Sequence, residues 1–241
     1  MKDDYKNTLI NTGKILNAGK GGFDTLAIEI FHYQYAHNTL YRQYCDALNI
    51  NKTAVLTPLQ IPFLPISFFK THEVKTGGWQ APALLFESSG TTGSVNSKHY
   101  VHDAGLYEDA LLKGFVQYYG HPSEYALLAL LPSYLERKNA SLAYMAKTLM
   151  EQGSHTGSGF YINEWEALHS QIIRLDSAGQ KVILLGVTFA LIDFAMAYPG
   201  ALGNTIVMET GGMKGKREEW TRQQVHSLLK TQWQLSAIHS E

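Results

Sequence analysis

Short apolar runs alternate with longer stretches of helical periodicity over the last two thirds of this chain. Residues 83–87, 125–131, 181–187, 205–209 and 235–239 are compact apolar segments bounded by turn-forming residues, and they read as strands. Between them, residues 101–119, 140–152, 163–178, 189–198 and 216–231 space their apolar side chains as amphipathic helices do. Strands that alternate with helices predict an α/β fold, with a largely parallel sheet carrying helices on both faces.

The first third reads differently. Residues 23–48 follow a helical period through Leu26, Ile30, Tyr33 and Leu40, with Asp24 or Thr25 placed to cap the start. Residues 57–69 hold Pro58, Pro62 and Pro65 among large apolar side chains, which predicts an extended connector packed on the body. The pattern changes near residue 80, after Gly77-Gly78. The organisation expected is a helical N-terminal segment over 1–80 and an α/β nucleotide-binding core over 81–241. Residues 182–202 are almost continuously apolar but contain Gly186, Asp193 and Pro199, so a strand and a short buried helix explain them better than a membrane span.

Composition narrows the class. Of 241 residues, 45% are hydrophobic and 17% charged, a balance that suits a folded globular protein and argues against disorder. A net charge of −1 gives no general attraction to nucleic acid or to acidic membranes. Cys45 is the single cysteine, so neither an internal disulfide nor a cysteine-based zinc cluster can form. With a charged, non-apolar start at residues 1–6, this fits a cytoplasmic protein.

Two glycine-bearing segments carry the candidate chemistry. Ser88, Ser89, Gly90, Thr91, Thr92 and Gly93 form six consecutive Ser/Thr/Gly residues directly after an apolar run. Glycines let backbone N–H groups converge on phosphate oxygens, and the hydroxyls add donors. Lys98 is placed to add a positive charge. A polar turn of the same composition remains the competing reading. The spacing is not that of a P-loop. The second segment is Glu209-Thr210-Gly211-Gly212-Met213-Lys214-Gly215-Lys216-Arg217, again glycines after a strand, where open α/β sheets bind ligands. Gly211 and Gly212 would let a flat purine approach the backbone, while Lys214, Lys216 and Arg217 could meet phosphate, with solvated surface the better reading for any one of them. His99 and His102 are three apart but have no further clustered ligands, so capping of a helix by Asp103 is expected there and no metal. A lone cysteine on a helix, such as Cys45, is expected in the core.

Together these segments resemble a known family. Phe86-Glu87-Ser88-Ser89-Gly90-Thr91-Thr92-Gly93 is similar to the phosphate loop of the adenylate-forming superfamily of acyl-CoA synthetases, luciferases and phenylacetate-CoA ligases. Met208 to Arg217, with Leu131-Pro132-Ser133-Tyr134-Leu135-Glu136-Arg137, resembles its acyl-protein synthetase (LuxE-like) branch. The resemblance covers roughly residues 83–241 and implies part of the large N-terminal domain of such an enzyme. It implies ATP and Mg²⁺ as cofactors and a fatty or aryl carboxylic acid as substrate. It also implies a thiol acceptor, whether a protein cysteine, a carrier protein or coenzyme A, and a reductase subunit as partner. Ser88 to Gly93 would hold the β- and γ-phosphates, and Gly211 and Gly212 the adenine. Lys98 is our own addition to the phosphate site.

In the family, a Tyr-Gly-Met-Thr-Glu-like motif would follow His239-Ser240-Glu241, and beyond it a hinge and a small domain bearing a catalytic lysine. The chain ends before them, so it is expected to be truncated and impaired in catalysis, and no catalytic residue is assigned. The leading expectation is activation of a carboxylic acid as its acyl-adenylate, followed by transfer to a thiol. The alternatives are a non-catalytic nucleotide- or acyl-binding partner subunit and an aryl- or acyl-CoA ligase. Neither nucleic acid nor a membrane-embedded partner is expected.

Overall fold

The helix expected over residues 23–48 is two helices, because Asn38 ends one and starts the next. The computed structural model describes residues 12–19, 21–88, 95–132, 139–211 and 220–240. It divides into two units, Met1–Lys113 and Gly114–Glu241. The change of sequence pattern near residue 80 falls inside the first of them.

In the first unit, α1 (Thr12–Leu16) precedes α2 (Phe23–His37) and α3 (Thr39–Ala47). The Asn38 N–H closes α2 on the Gln34 carbonyl at 2.8 Å, while its side-chain oxygen accepts from the Tyr41 N–H at 3.0 Å and caps α3. Phe31, Tyr41, Cys45 and Val55 form the core of this unit. The proline-bearing connector packs on it, as expected. It contains a 3-10 turn, Pro58–Gln60, and is followed by the short α4 (Phe68–Thr71). Two tyrosine hydroxyls hold it: Tyr41 donates to the Pro62 carbonyl at 2.8 Å and Tyr44 to that of Phe63 at 3.2 Å.

Cys45 is fully buried, and burial pushes its thiol up from the ordinary 9.0. Burial likewise pushes the Tyr41 phenol up from 10.0. Both groups keep their protons in the folded state at a pH where the unfolded chain loses them. Their contribution is therefore complete below about pH 9 and lost as pH rises further. Urea unfolding of the full chain, followed between about pH 8 and about pH 11, should show a midpoint that falls with pH. Substitution of Cys45 by alanine should flatten that fall, and a slope unchanged by the substitution would refute the assignment to Cys45.

The remaining strands of the first unit depart from expectation. β1 (Leu84–Glu87) pairs antiparallel with β2 (Lys98–Val101), setting Leu84 against Val101 and Glu87 against Lys98. This two-stranded ribbon is not part of the parallel sheet. The helix expected from residue 101 begins later, as α5 (Ala104–Tyr119), because Asp103 Oδ1 accepts from the N–H groups of Gly105 and Leu106 at 2.9 and 3.3 Å. The expected cap is thus present.

The second unit is a five-stranded, all-parallel sheet of β3 (Ala126–Leu130), β4 (Gly159–Tyr161), β5 (Val182–Val187), β6 (Thr205–Thr210) and β7 (His239–Ser240). Its spatial order is β4-β3-β5-β6-β7. Every residue of β3 and β5 is buried, as strands covered on both faces require. The connecting helices are α6 (Ser141–Gly153), α7 (Trp165–Ser177), α8 (Thr188–Ala197) and α9 (Arg222–Trp233). Because β3 is followed by a strand on one side and β5 lies on its other, right-handed crossovers put α6 on one face and α7, α8 and α9 on the other. Ring contacts agree: Phe194 of α8 meets Trp165 of α7 and Trp233 of α9, with centroids 6.2 and 6.0 Å apart. The apolar run over 182–202 is β5 and α8, and no described helix is long and apolar enough to cross a membrane.

Candidate functional site

Of the Ser88-to-Gly93 segment, Ser88 directly follows β1, which pairs antiparallel with β2. Ser88 continues that pairing: its N–H donates to the Ser97 carbonyl at 3.0 Å, and its Oγ accepts from the Ser97 N–H at 2.9 Å. Ser89, Gly90, Thr91, Thr92 and Gly93 lie outside the described residues, as do Gly212 and the run from Ser133 to Arg137. Lys98 begins β2 with its Nζ 4.0 Å from Glu87 Oε1, both side chains substantially exposed. That separation is at the outer limit of an ion pair. The two motifs belong to different units, Ser88 and Lys98 to the first and Gly211 to the second.

In the second unit the sheet order reverses between β3 and β5. Open α/β sheets leave a crevice beyond the carboxyl ends of the strands at such a reversal. Gly186 near the end of β5 lets this region close tightly, since a Cβ there would stand 2.6 Å from a Leu191 side-chain carbon and 3.3 Å from the Leu130 carbonyl oxygen. The carboxyl ends of β5, β6 and β7 then bring together a set of polar groups that no local spacing in the chain announces.

Glu209, near the end of β6, is the centre of that set and is almost fully buried. Thr188, the first residue of α8, donates its hydroxyl to Glu209 Oε2 at 2.8 Å and also faces the Gly211 carbonyl. Ser240, the register partner of Glu209 across the β6–β7 pair, donates to Glu209 Oε1 at 2.9 Å. His226 Nε2 lies 3.5 Å and Arg222 Nε 3.8 Å from the same oxygen, both from α9. The α9 helix is aimed there by its start: Thr221 and Gln224 cap each other reciprocally. At the other end of β6, Asp176 fixes the strand by accepting from the N–H groups of Gly203 and Asn204 at 2.9 and 2.6 Å.

Gly211 follows directly and has φ +72°. A residue with a Cβ there would strain the backbone whatever lies nearby. The glycine thus has a conformational reason of its own, besides the close approach to a flat ligand expected from the sequence. Thr188, Arg222, His226 and Ser240 had no place in that expectation. The signals for this cluster were a charge inside the apolar run ending at Glu209 and a hydroxyl at the junction where β5 becomes α8.

The described residues contain no group of three or more His, Cys, Asp or Glu side chains able to hold a metal, and both Glu209 oxygens are already engaged. His99 lies within β2 and His102 just beyond its end, with the His102 ring stacked on Trp79 at 5.2 Å. Comparison with family models, with curated proteins and with solved structures finds no match.

Proposed function

We propose that this chain is the nucleotide-binding core of an ATP-dependent ligase that activates a carboxylic acid, with a fatty acid favoured, as an acyl-adenylate for transfer to a thiol. One observation supports it most. A glycine with positive φ stands just past the carboxyl end of β6 in a parallel α/β sheet, on the edge of the sheet from which such folds bind ligands. The likeness of the Ser88-to-Gly93 sequence to a phosphate loop is the second support for the reading.

In the proposed reaction a carboxylate oxygen attacks the α-phosphorus of ATP, pyrophosphate leaves, and the thiolate of the acceptor displaces AMP from the acyl carbon. Charge grows on the departing pyrophosphate, and hydroxyl and N–H donors in the Ser88-to-Gly93 segment would stabilise it. The Glu209 cluster would act on the protein side, holding the Gly211 carbonyl and the head of α8 in place. The reaction belongs in the cytoplasm, where the acceptor thiol stays reduced.

Exchange between ATP and labelled pyrophosphate, driven by a panel of fatty and aryl acids, tests the reading. Acid-dependent exchange with a fatty acid is expected from the protein at its native length, whereas ATP binding without exchange at that length would make it a nucleotide-binding subunit without catalysis. Replacing Thr91 and Thr92 together by valine should weaken ATP binding by about ten- to a hundredfold, each lost hydroxyl bond being worth about 1 kcal/mol. The circular dichroism spectrum should not change. Unaltered ATP affinity in this variant would reduce the Ser88-to-Gly93 segment to a turn.

A further inference from the structure

The first unit contains a cavity of about 770 Å³ that the nucleotide reading leaves without a role. Its size falls in the range of small-molecule sites, roughly 300–1,000 Å³. Four aromatic side chains, Tyr33, Trp79, Tyr100 and Tyr107, line it together with apolar residues such as Ile15 and Ile30.

The walls are held by contacts that do not depend on what fills the space. Lys14 of α1 pairs with Glu29 of α2 at 3.2 Å, and Asn17, just past α1, accepts from Lys113 of α5 at 2.6 Å. The segment carrying Trp79 is tied to α2 by the hydrogen bond from the Gly77 N–H to the His37 carbonyl at 2.9 Å. The Trp79 indole N–H donates to the Thr76 carbonyl at 2.8 Å, and its ring stacks on His102. A pocket whose walls are anchored this way is preformed.

Charge then selects the ligand. Among the described lining residues there is neither lysine nor arginine. The one acid there, Asp103, spends a carboxylate oxygen on the first N–H groups of α5. His99, though partly in contact with solvent, is held below the ordinary histidine range by desolvation, which keeps its ring neutral at neutral pH. A carboxylate or phosphate would leave water here without a cationic partner, at a large cost. A neutral molecule would not, and the imidazole rings can hydrogen-bond a hydroxyl or carbonyl.

We infer that this cavity is a binding site for a neutral molecule bearing an alkyl chain or an aromatic ring, separate from the nucleotide motifs and independent of the ligase reading. Displacement of the neutral fluorophore Nile red from the full chain at neutral pH tests it. The expected result is one saturable site, from which decanol displaces the probe at least about tenfold more effectively than decanoate. Two separate filling variants, Ala110→Trp on α5 and Ile30→Trp on α2, should each lose the site while keeping the thermal melting curve of the parent. Saturable binding that persists in both variants would place the probe elsewhere and overturn the inference. So would the absence of saturable binding in the parent. Equal displacement by decanol and decanoate would overturn the preference for a neutral ligand. ATP–pyrophosphate exchange, measured on the same preparations, reports on the ligase reading separately.

Discussion

Replacement of Trp233 by alanine is expected to destabilise the second unit by about 3–5 kcal/mol, the range for removing a large aromatic side chain from a packed interior. Trp233 ends α9 with 2% of its surface exposed. Its ring rests against Phe194, and its indole N–H donates to the Tyr198 carbonyl at 3.1 Å. Its own carbonyl accepts from the Leu202 N–H at 3.1 Å. This one residue therefore joins α9 to α8 through its side chain and to the loop leading into β6 through its carbonyl. The truncation leaves a cavity that the surrounding elements cannot all relax to fill, and it leaves the Tyr198 carbonyl without this donor. Against a total of roughly 5–15 kcal/mol for a domain, that is a large fraction. The urea midpoint should fall by about 2 M if the slope stays near 2 kcal/mol per M. Trp233→Phe, which keeps most of the packing and loses the hydrogen bond, should give back more than half of the loss. A cost below about 1 kcal/mol for the alanine variant would mean that α9 is not part of the cooperative core.

The parallel sheet was legible where its strands are buried on both faces. β3, β5 and β6 need continuous apolar runs, and such runs are hard to mistake once turn residues bound them. β4 was missed because three residues at a sheet edge, Gly159–Tyr161, carry too little pattern to read. The last strand was drawn too long for a different reason. Gln234 takes a left-handed conformation, and the Leu235 N–H turns back to the Lys230 carbonyl at 3.1 Å. The apolar residues after it therefore finish the helix cap before the chain extends, and only His239–Ser240 pair with β6. β2 was missed since Lys98, His99 and Tyr100 look like polar loop residues, and only their register with β1 makes them a strand.

The site was legible in a different proportion. Composition alone marks Ser88 to Gly93 and Gly211 as unusual, because glycine and hydroxyl residues after apolar strands are a local signal. The Glu209 cluster is not local. Its members come from α8, β6, α9 and β7 and span residues 188–240. Their meeting depends on β7 lying beside β6 and on the angle at which α9 leaves its cap. Those are properties of the assembled sheet, and no periodicity along the chain encodes them.

That dependence makes Glu209 the second sensitive position. Glu209→Ala should cost about 2–4 kcal/mol, since a buried hydroxyl that loses a charged acceptor forfeits more than an ordinary hydrogen bond. Thr188 is left in that state apart from the Gly211 carbonyl it faces, whereas Ser240 and Arg222, both exposed, can turn to water. Glu209→Gln keeps the acceptor oxygen and the volume and should cost about 1 kcal/mol. The diagnostic measurement is a double-mutant cycle with Thr188→Val. If the Thr188 hydroxyl is bound chiefly to Glu209, the double variant should recover about 1–2 kcal/mol relative to the sum of the single losses. An additive cycle would mean that the hydroxyl serves the Gly211 carbonyl and that Glu209 is held by β7 and α9 alone. The same variants bear on function. Thr188 links the buried carboxylate to the backbone at Gly211, so Glu209→Ala should weaken ATP binding under conditions in which the variant is still fully folded. Lost stability with untouched ATP affinity would make the cluster a fastener of the sheet and would remove Gly211 from the proposed nucleotide site.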